Sequence, residues 1–160
     1  MSNTIKMQYG TLTTVTVTLA SLADGSARES TKSINSSDLF IDAMIYVAIK
    51  LGAGSPSGDK QINVYFYGSI DGTNYTDNAT GSDAAVTLRT PTNFFGPFII
   101  SAPDSGALTY KVVIPSVASF FGGILPYCWG LVIDNQTGLT LDSTGTNHSV
   151  KYIGIYEQVV

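Results

Sequence analysis

Apolar and polar residues alternate along residues 61–69: Ile62, Val64 and Phe66 fall in one row, and Gln61, Asn63, Tyr65, Tyr67 and Ser69 in the other. A period of two puts the rows on opposite faces of a β-strand. Val, Ile, Tyr and Phe are residue types that suit a pleated, half-buried surface. The pattern predicts a strand with one dry face and one wet face, with Tyr65 and Tyr67 pointing outward. The strand runs into Asp71-Gly72, a dipeptide that accepts the positive φ of a tight hairpin turn.

The same rhythm recurs along the chain. Val15, Val17 and Leu19 alternate with Thr14, Thr16 and Thr18 across residues 11–20. Residues 28–34 carry Arg28, Glu29 and Lys32 and read as an edge strand whose charges discourage stray pairing. Residues 39–51 admit two readings. Ser36, Ser37 and Asp38 could cap a helix there and Gly52 could end it. However, Ile41, Ala43, Ile45, Val47, Ile49 and Leu51 form an unbroken row at period two, and β-branched residues are disfavoured in helices. The segment therefore reads as a long strand with Tyr46 outward, joined by a Gly-rich loop over residues 52–59 to the strand at 61 as a long hairpin.

Further on, 71–83 is a polar loop and 84–89 a short strand. Residues 94–101 are apolar, but Pro97 cannot donate a ladder bond, so that run begins at an edge or a bulge. Residues 108–114 alternate up to Pro115. Residues 116–126 form a hydrophobic loop holding Phe120 and Phe121. Trp129, Leu131 and Ile133 make the inner row of another strand, which breaks at Asp134-Asn135. A turn follows at Thr137-Gly138, and Leu139 and Leu141 pin the loop back. Residues 148–157 are the last strand. Residues 1–10 read as an N-terminal arm ordered by another subunit, or as a first strand over 4–9. Residues 11–160 read as a single domain. About eight strands with short turns predict an all-β, antiparallel two-sheet sandwich, jelly-roll-like.

Composition narrows the function. At 160 residues the chain suits one domain, long enough to need no metal or disulfide staple. Charged residues make up only 12%, with Ser, Thr, Asn and Gly as the polar material. A solitary domain usually keeps more charge outside, so the mixture suits a surface covered by neighbours. The net charge is −4, and eight Lys and Arg are scattered singly, which argues against nucleic-acid binding. No apolar run is long enough to span a bilayer, and no signal-peptide pattern opens the chain, so synthesis in a host cytoplasm is expected.

Candidate chemistry is sparse. His148 is the only histidine and Cys128 the only cysteine, and no Gly-x-Ser-x-Gly elbow is present. Zinc lacks ligands. Asp71, Asn74, Asp77, Asn78 and Asp83 crowd one loop, and Asp134, Asn135 and Asp142 another. Calcium takes such oxygens, but the spacing matches no loop motif and turns are built from the same residues. No cofactor and no catalytic residue is expected; Asp71, Gly72, Asn135 and Gly138 read as turn builders. Tyr46, Tyr65, Tyr67, Phe120 and Phe121 remain as candidate contacts for a protein or a glycan.

Two stretches carry a resemblance. One is Ser69-Ile70-Asp71-Gly72-Thr73-Asn74-Tyr75. The other runs from Trp129-Gly130-Leu131-Val132-Ile133-Asp134-Asn135-Gln136-Thr137-Gly138 through Leu141 and Gly145 to a closing strand with Tyr152 and Tyr156. The layout resembles capsid cement or decoration proteins, small all-β virion proteins of tailed bacteriophages. That resemblance implies a non-enzymatic protein on the capsid surface of the virion. It would bind the major capsid protein and itself, as a homotrimer, with no nucleic-acid or membrane partner. The alternatives are a carbohydrate- or receptor-binding module of a phage tail or fibre, which would use Tyr65, Tyr67 or Trp129 as a platform, and a hydrolase.

Overall fold

The computed structural model describes residues 4–88, 93–104 and 106–159. Among them are eleven strands: β1 (Ile5–Tyr9), β2 (Thr13–Thr14), β3 (Ser26–Glu29), β4 (Ser33–Ile34), β5 (Asp42–Lys50), β6 (Gln61–Ser69), β7 (Ala84–Val86), β8 (Phe95–Ser101), β9 (Thr109–Ile114), β10 (Cys128–Gln136) and β11 (Ser149–Val159). They form two antiparallel sheets. The first has the order β1-β11-β5-β9, with β2 also on β11. The second has the order β7-β3-β10-β6-β8, with β4 also on β10. Without the short additions β1, β4 and β7, each sheet keeps four strands and the chain passes repeatedly between them. That is the jelly-roll pattern. The extra strands arise because the run at 28–34 splits into β3 and β4, and the N-terminal segment pairs with β11.

The alternating rows built the core as expected. Ile62, Val64 and Phe66 of β6 and Trp129, Leu131 and Ile133 of β10 meet Ala43, Ile45, Val47 and Ile49 of β5 and Val150 and Tyr152 of β11. Trp129 stands edge-on to Tyr152, with ring centroids 5.2 Å apart. Val15 and Leu19 are buried beneath them, although only Thr13 and Thr14 of that segment join a ladder.

Several expectations need correction. Residues 39–51 do form the long strand that the period-two row predicts, but it starts only at Asp42. Before it, Asn35 accepts from Phe40 N (2.8 Å) and donates to Phe40 O (2.9 Å), a local clasp that holds Leu39 at φ +50° with its side chain in solvent. Strands β5 and β6 are not a hairpin, because they lie in different sheets and the loop between them crosses the sandwich. Arg28 and Glu29 do not guard an edge, because β3 is paired on both sides, with β10 and with β7. Asp71-Gly72 does not close a hairpin either, since β7 pairs with β3 and not with β6. Strand β10 continues through Asp134 and Asn135, opposite Asn63 and Ile62. Pro97 does lie on an edge strand, β8, beside a register shift between Val64 and Phe66. Arg89, the last residue of the run expected at 84–89, lies outside the described residues. Among those residues no helix is long and apolar enough to cross a membrane.

Candidate functional site

The outer face of the second sheet is where sequence and structure differ most. Tyr65 and Tyr67 do lie on the face opposite Ile62, Val64 and Phe66, but that face is not wet: Tyr65 is 8% exposed and Tyr67 fully buried. The chain after β6 folds back over them as a second layer, which forms a separate apolar cluster of Ala27, Tyr65, Tyr67, Ala79, Val86, Phe94 and Val132. Tyr67 donates its hydroxyl to Ser30 O at 2.7 Å and meets Tyr75 edge-on. Burial pushes its phenol pKa well up.

Three carboxylates hold that layer down. Glu29 is fully buried and accepts from Thr80 N (2.8 Å), Thr80 Oγ1 (2.7 Å) and Gly81 N (3.3 Å). Asp83 accepts from Thr18 N, Thr18 Oγ1 and Arg28 Nε. Burial works to raise the Asp83 pKa, but the Arg28 and Thr18 hydrogen bonds outweigh it and the net shift is downward. Asp71 organises the corner: its carboxylate accepts from Asn74 N (2.8 Å), Thr73 N (2.9 Å) and Asn74 Nδ2 (2.7 Å), which hold its pKa far below the usual carboxylate range. Gly72 has φ +73°, and its carbonyl accepts from Lys32 Nζ at 2.9 Å. The hydrogen bond to Tyr75 raises the Lys32 pKa.

At the far end, Asn135 is fully buried and donates to Leu22 O (3.0 Å) and Leu139 O (2.8 Å). Gly138 turns at φ +75° and donates to Asp24 at 2.7 Å. Asp71, Gly72 and Gly138 lie in loops, whereas Asn135 lies within β10 and ties down the loop after it through its side chain. His148 accepts from Lys50 N through Nδ1 (3.4 Å) and donates from Nε2 to Asp142 O (2.9 Å), so both ring nitrogens are committed to backbone. Cys128 is buried, and burial raises its thiol pKa. Among the described residues no group of three His, Cys, Asp or Glu side chains is placed to hold a metal.

The candidate contact residues do not form one patch. Phe120 and Phe121 lie on a 3₁₀ turn (Ala118–Phe121) and are half-buried against Phe66, with centroids 4.6 and 6.5 Å away. Tyr46 is half-buried on the outer face of the first sheet, opposite Lys151 and Val113. Trp129, at 1% exposure, cannot serve as a glycan platform, and neither can Tyr67.

The structure instead gathers apolar groups that sequence reasoning did not connect. The start of β5, the start of β10 and the ends of β6, β9 and β11 lie at one end of the sandwich. Ile70, at 88% exposure, follows β6 there. Ile124 (76%) and Tyr127 lead into β10, Ile34 ends β4, and Leu39 (70%) lies between β4 and β5. Beside them β1 and the last turn of β11 pair as a ribbon, in register Ile5↔Val159, Met7↔Glu157 and Tyr9↔Ile155. Ile5, Met7, Tyr9 and Val159 are all exposed on it. Apart from Leu12, Ile99, Leu108 and Val113, every exposed large apolar side chain among the described residues lies toward this end. The opposite end carries the polar loops with Asp24, Asp59, Lys60, Asp104 and Asp142. The signal was present in the sequence as Ile70, Ile124 and Leu39 inside loops, where apolar residues are unusual. No protein-family model matches the chain, and no curated protein does so either.

Proposed function

We propose that this chain is a non-enzymatic virion structural protein, a capsid cement or decoration protein of a tailed bacteriophage that docks its apolar end on the assembled shell. The observation that carries the reading is the segregation of exposed apolar side chains to one end of a low-charge jelly roll. Large exposed apolar patches mark contact sites, and interface cores are poor in charge. Ile70, Ile124, Leu39 and Tyr127 sit on loop tips, and the β1–β11 ribbon extends beside them. Together they offer insertion points and a strand edge to a protein lattice.

The partners in this reading are the major capsid protein and further copies of the chain, as a homotrimer, and the place is the outer surface of the virion. Binding only to the assembled shell stabilises that shell by mass action, about 2.7 kcal/mol at a hundredfold excess over Kd. Many copies on one lattice add avidity. The test is rebinding of purified protein to stripped or expanded capsids. The expected result is saturable binding that raises the melting temperature of the capsid. Absence of binding at high protein concentration would remove the reading.

A further inference from the structure

The second layer covers only part of the second sheet. Beyond Tyr65 the outer face opens into a cleft of about 520 Å³, walled by Tyr65, Asp134 and Gln136 on one side and Val86, Thr87 and Leu88 on the other. Its floor is made by Gly25, Ser26 and Ala27 of β3 and the turn before it, whose small side chains leave the space. The volume lies in the range of small-molecule sites.

Asp134 is 6% exposed and has no cationic partner among the described residues, whose ion pairs are Arg28–Asp83 and Lys50–Asp142. A buried charge normally demands compensation. Here it comes from two amides: Gln136 Nε2 donates to Oδ1 at 2.8 Å and Asn63 Nδ2 to Oδ2 at 3.1 Å. Gln61 Nε2 donates in turn to Asn63 Oδ1 at 3.0 Å, which fixes that amide's orientation. An ionised carboxylate offers about four acceptor positions, so two remain for a ligand, along with the second N–H of Gln136. Tyr65 adds a phenol to the lining, and its hydroxyl makes no hydrogen bond to the other described residues. Val86, Leu88 and Ala27 supply apolar wall.

We propose that this cleft is a saccharide-binding site. A sugar ring carries vicinal hydroxyls that donate to a carboxylate and accept from an amide, and its C–H face fits apolar wall. An anion would be repelled by Asp134, and a metal would lack ligands, since among the described residues no further acid converges there. The arrangement resembles polar recognition in which prealigned groups fix orientation inside an otherwise plain cleft. For a single sugar ring in a cleft of this kind, a Kd on the order of 1 mM, about 4 kcal/mol of binding free energy, is the range the test must cover. The proposal is independent of the docking end, which lies at the other extreme of β6 and β10.

The test is glycan-array binding followed by calorimetric titration of the best saccharide into wild-type protein, Asp134→Asn and Tyr65→Phe, each checked for an intact thermal transition. The expected result is saturable binding of a neutral saccharide, weakened at least about tenfold by Asp134→Asn and measurably by Tyr65→Phe, a change that keeps the ring. No saturable binding of any saccharide well above about 1 mM overturns the proposal. So does binding unchanged in both variants, or binding only of cationic amines, which would make Asp134 a simple counter-charge.

Discussion

Gly130 lies under the ring of Tyr67, its partner across the β6–β10 ladder. A Cβ added there would come within 2.3 Å of Tyr67 Cζ and Oη. That is more than about 1 Å inside ordinary contact, so in a Gly130→Ala variant the ring must move. It cannot move freely, because Tyr67 is fully buried, bonded to Ser30 O and packed on Tyr75. Overpacking costs about 1–3 kcal/mol, and a broken buried hydrogen bond adds about 1–3 kcal/mol. The lower entropy of the unfolded Ala chain offsets about 0.4–1 kcal/mol. The net expectation is a loss of roughly 2–4 kcal/mol, a fall of roughly 5–15 °C in Tm for a domain of this size. Urea denaturation of wild type, Gly130→Ala, Tyr67→Ala and the double variant measures it. In the Tyr67→Ala background the alanine at 130 should cost little, giving a coupling close to the whole of that roughly 2–4 kcal/mol. If Gly130→Ala costs under about 0.5 kcal/mol, or costs the same in both backgrounds, the ring does not lie on Gly130 and the second layer is misdescribed.

Three further predictions bear on the core, the polar loops and the ribbon. Val64→Asp places an unpaired charge among fully buried residues and should cost several kcal/mol, read as loss of the cooperative transition by circular dichroism. The Asp142 carboxylate, held down to a pKa of about 2 by Asn147, Thr144 and Lys50, stabilises the fold above its unfolded value of 3.8 and ceases to as pH falls through about 2. NMR titration should place its midpoint near 2, and Asp142→Asn should flatten the loss of stability between those values. Deleting residues 1–10 removes β1, which pairs only with β11, so it should weaken attachment to capsids more than it lowers Tm; equal losses would show that the segment serves folding alone.

The inner rows were legible because the inward residues form unbroken apolar rows at period two, while the rows between them are mixed. Ala43 to Ile49 on β5 and Trp129 to Ile133 on β10 face the core at period two. The outer face of β6 was not legible from the same rule, because what covers it arrives from residues 70–88 and 94, and a period along one strand carries no record of a distant loop. Two residues did hold a trace. Gly130 in mid-strand signals a close neighbour, and Tyr at 65 and 67 is a poor choice for a freely wet face. The crossing after β5 was missed because a loop rich in Gly serves a hairpin and a change of sheet equally well. Asp134 looked like a strand break because Asp and Asn favour turns; its place in a buried amide ladder depends on Asn63 and Gln136, brought together only by pairing. The apolar end was unreadable as a unit because Ile34, Ile70 and Ile124 are far apart in sequence and reach one end only through the pairing of β4 and β6 with β10.

The most direct measurement compares wild type with an Ile70→Glu/Ile124→Glu variant for rebinding to stripped capsids. Both side chains are exposed, so the variant should keep its Tm within the small change usual for surface substitutions. The account predicts that the variant loses capsid binding by at least about tenfold while it stays folded. Full binding by the folded variant would contradict it, because the apolar end would then not be the face that meets the shell.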